Sequence, residues 1–83
     1  MTKDILEKIF EYASMPVHGT LSRKTRKDVK LQVNEGKIYE NAVLFLGDGF
    51  VRITEQKEGE AINTYYGWDS VSSIRTTSKS DTA

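Results

Sequence analysis

Three aromatic residues near the end of the chain are the first candidates for chemistry. Tyr65, Tyr66 and Trp68 surround Gly67, and aromatic rings stack on nucleic-acid bases with a gain of roughly 1 to 3 kcal/mol per base. The alternative is that two of the three are core or subunit-interface residues. Alternation along a strand puts Tyr65 and Tyr66 on opposite faces, and aromatic side chains are common at interfaces. The sequence leaves both interpretations open.

A run of positive charge lies between residues 23 and 30. It sets five basic residues against the single Asp28: Arg23, Lys24, Arg26, Lys27 and Lys30. Such a run can contact phosphates with a strong salt dependence, or it can be a solvated linker. Arg52 offers either another phosphate contact or a solvated surface charge. Because the whole chain balances 12 Lys and Arg against 12 Asp and Glu, nucleic-acid binding would have to depend on a local patch of this kind.

The sequence offers little for catalysis. His18 is the only histidine and there is no cysteine, so a Cys–His pair, a thiolate metal site and a disulfide are all excluded. There is no carboxylate pair, metal-ligand cluster or phosphate-binding glycine-rich motif, and Gly47-Asp48-Gly49 lacks the lysine and the helix that such a motif requires. We expect a protein that is not an enzyme and holds neither metal nor cofactor.

The length of 83 residues and the hydrophobic share of 37% predict one small domain, 1–83. Small domains without disulfides or metals are often stabilised by oligomerisation. The longest apolar stretch, 42–46, is far too short to span a membrane, and the charged N-terminus has no apolar signal region. We therefore expect a cytoplasmic protein without a membrane partner.

The N-terminal third predicts a helix followed by an exposed basic linker. Five apolar residues recur at helical spacing: Ile5, Leu6, Ile9, Phe10 and Ala13. Thr2 can cap the helix and Pro16 disfavours its continuation, which predicts a helix over about 3–14. Residues 15–27 show no period and many polar side chains, which predicts the linker.

From residue 28 the apolar residues recur at every second position. This alternation predicts five short antiparallel strands over about 28–76, followed by a flexible tail, 77–83. Turns are expected at Asn34-Glu35-Gly36, where the glycine can take a positive φ, at Gly47-Asp48-Gly49 and at Lys57-Glu58-Gly59. The second strand, 37–46, is apolar on both sides in its later half. A sharply bent strand, with the sheet curled into a small barrel, explains this pattern.

From Val29 to Ile74 the chain resembles the Sm-like family, which comprises the Sm, LSm and Hfq proteins. Its first motif is matched by alternating apolar and small residues before the loop 47–49: Val29, Leu31, Val33, Gly36, Asn41, Val43 and Leu46. Its second motif is similar to Gly67 followed by Val71 and Ile74. The resemblance implies a mainly β protein with an N-terminal α-helix and a strongly bent five-stranded antiparallel sheet, an Sm-like (SH3-type) barrel. It also implies that the chain is a divergent member of the family, for which a phage is one candidate source.

The resemblance further implies a homo-oligomeric ring, joined through the fourth and fifth strands, that binds single-stranded RNA without catalysis as an RNA chaperone or RNA-metabolism factor. The segment 61–66 carries no Lys or Pro to protect a sheet edge, which also favours such pairing. The expected RNA-binding residues are Asp48, Phe50, Arg52, Tyr66, Gly67 and Trp68. The expected phosphate contacts are Arg23, Lys24, Arg26 and Lys27.

The chain departs from the family at its base-contacting positions. The family's Asp falls near Gly47, one residue before Asp48, its Asn has no equivalent near Val51, and Tyr66 stands where Arg is common. One alternative is therefore a structural or protein-interaction ring, such as a phage or complex scaffold, without RNA binding. Another is a monomeric SH3-like adaptor that grips a peptide with its aromatic residues.

Overall fold

A computed structural model describes residues 1–79. Helix α1 spans Lys3–Tyr12, and a short 3-10 helix spans Trp68–Ser70. The strands are β1 Ser14–Pro16, β2 Arg23–Thr25, β3 Val29–Val33, β4 Ile38–Tyr39, β5 Val43–Leu46, β6 Phe50–Lys57, β7 Glu60–Gly67 and β8 Ile74–Ser78.

Helix α1 forms as its capping and spacing predict. The Thr2 side chain accepts a hydrogen bond from the Ile5 amide at 3.4 Å, and Leu6 and Phe10 are fully buried. The helix ends at Tyr12, two residues earlier than expected, because Ser14 already belongs to β1.

The segment predicted as an exposed linker, 15–27, instead contains most of a β-hairpin. Strands β1 and β2 pair in antiparallel fashion, with Ser14 opposite Thr25, and β2 continues the sheet by pairing with β5. The sequence hides this hairpin because its inward positions are polar. Ser14 donates to the Phe10 carbonyl at 2.6 Å and Thr25 accepts from the Ala42 amide at 3.0 Å, so both hydroxyls are buried with partners.

The protein is mainly β with one N-terminal helix, as predicted, but its strands form two antiparallel sheets. One sheet has the order β1-β2-β5-β6-β7 and the other β4-β3-β8. Within residues 1–79 these sheets do not close into a barrel, because β7 and β8 are not paired with each other. The predicted second strand is divided into β4 and β5, which belong to different sheets. Asn41 lies between them, and its φ of 55° interrupts the extended backbone.

The core lies between the two sheets and under α1. Leu31, Val33 and Tyr39 come from the three-stranded sheet, and Leu44, Val51 and Ile53 from the five-stranded sheet. Leu6 and Phe10 of the helix complete this core. Each strand therefore has an inner face toward the core and an outer face away from it.

The turn between β3 and β4 also forms hydrogen bonds to a loop that is distant in the sequence. Positive φ occurs at Asn34 (54°) and Glu35 (58°), not at Gly36 as expected. In this conformation the Asn34 side-chain oxygen accepts from the amides of Ser72 at 2.7 Å and Ser73 at 3.2 Å. These bonds fix the loop between the 3-10 helix and β8.

Strand β8 extends to Ser78, so the first two residues of the predicted tail, 77–83, are strand residues. Residues 80–83 of that tail lie outside the described residues. Across residues 1–79, no helix has both the length and the apolar character needed to cross a membrane.

Candidate functional site

The outer face of the five-stranded sheet carries a row of three side chains. Phe45 in β5 is opposite Arg52 in β6, and Arg52 is opposite Tyr65 in β7. Paired residues in neighbouring strands point to the same side of a sheet. We call Phe45, Arg52 and Tyr65 the aromatic row.

Phe50 extends the aromatic row by one further ring. It lies two residues before Arg52 in β6 and therefore on the same face. The Phe50 ring centroid is 6.1 Å from that of Phe45 and 5.8 Å from that of Tyr65. Its partner in β7 is Gly67, which has no side chain to cover the ring. Tyr65 is 60% exposed and Phe50 is 37% exposed, so their rings are accessible to a ligand.

Arg52 is held in the middle of these rings. Its guanidinium carbon lies 5.3 Å from the Phe45 ring centroid, a cation–π geometry. Its Nε atom is buried and makes no hydrogen bond. A buried donor without a partner is unfavourable, and a ligand oxygen that reached it would remove this cost.

The charge on the outer face is entirely positive. Lys24 of β2 is opposite Val43 of β5, and its side chain adds a second cation beyond the Phe45 end of the aromatic row. The carboxylates within β6 and β7, Glu55 and Glu60, lie on the opposite side of the sheet by strand alternation. In a chain of zero net charge, this face therefore favours an anionic ligand.

Two of the expected RNA-binding residues point toward the core. Trp68 is only 7% exposed; its indole N–H donates to the Gly47 carbonyl at 3.0 Å, and its ring packs edge-on against Phe10 at a centroid distance of 6.0 Å. Tyr66 points inward from β7 and is half-buried, and its hydroxyl oxygen is 2.7 Å from that of Tyr39. The Trp68 ring is therefore closed to base stacking, and the Tyr66 ring is partly covered.

Burial also alters the ionisation of Tyr66. The pKa of its phenol is raised, mainly because burial disfavours the phenolate and further because of the hydrogen bond with Tyr39. In the unfolded chain Tyr66 ionises near its ordinary pKa of about 10. The stabilisation from neutral Tyr66 is thus fully present below that pH and is lost as the pH rises toward the folded-state pKa.

We expect the Tyr66→Phe variant to lose less stability at alkaline pH than the unmodified protein. The free energy of unfolding, measured by urea denaturation between about pH 9 and pH 11, should fall less steeply in this variant than in the unmodified protein. Tyr65→Phe is the matched control, because Tyr65 is the neighbouring tyrosine and is exposed on the other face of β7. Equal slopes for Tyr66→Phe and the unmodified protein would contradict this account.

The four expected phosphate contacts divide into two groups. Arg23 donates from Nε to the Ser14 hydroxyl at 2.8 Å and from Nη2 to the Glu11 carbonyl at 3.2 Å, and Arg26 donates from Nε to the Tyr12 carbonyl at 3.0 Å. These two guanidiniums stabilise the C-terminal end of α1, which has no basic residue in its last turn. Lys24 and Lys27 are exposed.

The remaining expected residues lie around a shallow pocket of about 320 Å³ next to the N-terminus of α1. Asp48 and Gly67 line it from the two turns, and the Asp48 carboxylate is 3.9 Å from the Lys3 amine. In the part of the chain that the structure describes, no group of three or more His, Asp or Glu side chains could hold a metal ion.

The structure thus brings Phe50 and Arg52 together on the outer face and separates them from Tyr66 and Trp68. Phe45 and Tyr65 join them there, although the resemblance assigns neither to RNA. The second predicted strand is apolar on both sides, a pattern that could have indicated a role for Phe45 outside the core. Strand alternation indicated that Tyr65 and Tyr66 face opposite sides. Only the strand register shows that Phe45 and Tyr65 lie in one row. Comparison with family models, curated proteins and solved structures finds no match to this chain.

Proposed function

We propose that the protein is a non-catalytic, single-stranded RNA-binding protein that acts as an Sm-like homo-oligomeric ring. The observation that carries this proposal is the adjacency of Phe50 and Arg52 on an exposed sheet face. An aromatic ring beside a cation is the combination that proteins use to bind single strands, in which bases are free to stack and phosphates are close by.

The order of elements supports the Sm-like assignment. A helix precedes β3, a bent segment shared between the two sheets follows as β4 and β5, and β6 and β7 form a hairpin before the 3-10 helix. Strand β8 then returns to pair with β3. The hairpin β1–β2 is an addition to the five strands that the resemblance implies.

Two of the open sheet edges support assembly into a ring. Within residues 1–79 the edge strands are β1 and β7 in one sheet and β4 and β8 in the other, so β7 has a neighbour only on its β6 side and β8 only on its β3 side. Next to β8 a groove of about 300 Å³ is lined by Ile9, Tyr12 and Val29, together with polar residues of β8. An added strand could form backbone hydrogen bonds to β8 and place an apolar side chain in this groove.

We expect the purified protein to bind uridine-rich and adenine-rich single strands more tightly than duplex RNA. The exposed rings can contact bases only when the bases are unpaired. Fluorescence anisotropy at low and moderate salt measures the three affinities. Absence of binding at low salt would overturn the RNA proposal.

The inward orientation of Tyr66 and Trp68 favours the second candidate, a protein-interaction ring without RNA binding. Trp68 is buried and Tyr66 is half-buried with its hydroxyl bonded to Tyr39, so the aromatic side chains beside the turns at 47–49 and 67–70 offer less to a base than the resemblance implies. Failure of RNA binding by a confirmed oligomer would support this scaffold function.

A further inference from the structure

We infer that the outer face of the five-stranded sheet, centred on the aromatic row, is the RNA site, and that it stacks unpaired bases with little dependence on sequence. This inference rests on the proposed RNA-binding function and deepens it. It places the site on strands β5, β6 and β7, away from the turn that contains Asp48 and from the inward-pointing rings of Tyr66 and Trp68.

The size of the face suits a short single-stranded segment. Neighbouring strands lie about 4.8 Å apart, so Phe45 and Tyr65, two strands apart, are separated by roughly 10 Å. A sheet face of four strands with exposed aromatics typically stacks about two or three bases. The rings of Phe45, Phe50 and Tyr65 provide surfaces for that number.

Arg52 supplies the anion contact between the rings. Its planar guanidinium has five N–H donors, and Phe45 fixes its orientation from one side. The buried Nε without a partner identifies one donor that the folded protein leaves unsatisfied. A phosphate oxygen or a base carbonyl on the outer face would contact the Nη donors of the same guanidinium, since the Nε itself is enclosed.

The hairpin β1–β2 widens the same face. Met15 and Lys24, paired in this hairpin, lie on the outer side, and Lys24 pairs with Val43 of β5. Both side chains are exposed. Lys24 is therefore positioned for the phosphate that follows a base stacked on Phe45.

The polar groups near the aromatic row offer little for reading base identity. The Thr54 hydroxyl, two residues after Arg52, donates to the Asn63 side-chain oxygen at 2.6 Å. Each base has a π-face, so stacking tolerates all sequences. We expect affinities for uridine-rich and adenine-rich strands to agree within about 10-fold.

The decisive variants replace an aromatic ring with an aliphatic side chain that remains apolar. Tyr65→Leu and Phe45→Leu should each weaken single-stranded RNA binding by about 10-fold or more. Tyr65→Phe should retain it, because the ring remains. Tyr12→Leu is the matched control, because Tyr12 is 74% exposed on α1 and outside the sheet face.

The salt dependence tests Arg52 separately. Arg52→Gln should reduce the slope of log K against log salt by about 0.7, the value for one phosphate contact in a single strand. Arg75→Gln is the control, because Arg75 is exposed on β8 in the other sheet. Circular dichroism and thermal unfolding should show that each variant is folded as the unmodified protein is.

The outcomes separate this inference from the proposed function. No RNA binding by the unmodified protein would overturn both. RNA binding that is unchanged in Tyr65→Leu and Arg52→Gln but is lost in Asp48→Ala would overturn the sheet-face site and leave the RNA function standing. Loss in Tyr65→Leu with retention in Tyr65→Phe and Tyr12→Leu would support the inference.

Discussion

Replacement of Trp68 by alanine is expected to lower the free energy of unfolding by about 3 to 5 kcal/mol, as for other buried tryptophans. The Trp68 ring joins three parts of the molecule. It packs on Phe10 of the helix, its indole nitrogen bonds the Gly47 carbonyl, and its backbone amide bonds the Gly49 carbonyl at 3.3 Å. Small domains have only about 5 to 15 kcal/mol of stability in total. Urea denaturation at a fixed protein concentration measures the loss.

Trp68→Phe distinguishes a core residue from an RNA contact. It retains an aromatic ring in the core and loses mainly volume and the hydrogen bond to Gly47, so its effect on stability should be clearly smaller. Because Trp68 is buried, RNA affinity should not change in Trp68→Phe. A 10-fold loss of RNA affinity with unchanged stability would contradict the structural role and restore Trp68 as a base contact.

The sequence predicted the elements whose signal is apolar periodicity. Helix α1, the β3–β4 turn and the β6–β7 hairpin all occur where spacing and turn residues indicated them. It missed β1 and β2 because their inward positions carry Ser14, Thr25 and Arg23. Hydrogen bonds rather than apolar contacts compensate the burial of these side chains. These partners lie 4, 9 and 17 residues away along the chain, so the hydrogen bonds leave no periodic pattern.

The candidate site was predictable only in part, for a related reason. The family resemblance assigned Phe50 to RNA binding and the charge of Arg52 suggested a phosphate contact, and both side chains lie on the outer face. Alternation separated Tyr65 from Tyr66 but did not indicate which of them faces the core. That choice depends on the pairing of Val51 with Tyr66, since Val51 is fully buried and Tyr66 must share its side.

Ile62→Lys is expected to dissociate the proposed ring into subunits of 9.4 kDa. Ile62 lies on the open edge strand β7 and is 40% exposed, so a lysine there is solvated in the single subunit and leaves the fold intact. At a β7–β8 interface the same charge would lose its water, and the carboxylate opposite it, Glu55, is already paired with Lys37 at 2.8 Å. Removal of a charged group from water costs several kcal/mol per ion, and every interface of a ring carries this cost.

Solution mass, measured by light scattering, tests the assembly directly. Leu21→Lys is the matched control, because Leu21 is 86% exposed in the loop between β1 and β2, at the opposite edge of the five-stranded sheet from β7. The unmodified protein and this control should have the same mass, several times that of one subunit. A mass of 9.4 kDa for the unmodified protein would contradict the ring and favour the monomeric SH3-like adaptor.

The dissociated variant also separates assembly from binding. Ile62 lies on the inner side of β7, opposite Glu55, whereas Tyr65 and Arg52 lie on the outer side. Ile62→Lys should therefore keep its base-stacking surface and bind a short strand of a few nucleotides as the unmodified protein does. A long strand that contacts several subunits gains roughly 100-fold or more from linked sites, and the variant should lose that gain. Equal loss for short and long strands would mean that the RNA site itself requires the neighbouring subunit.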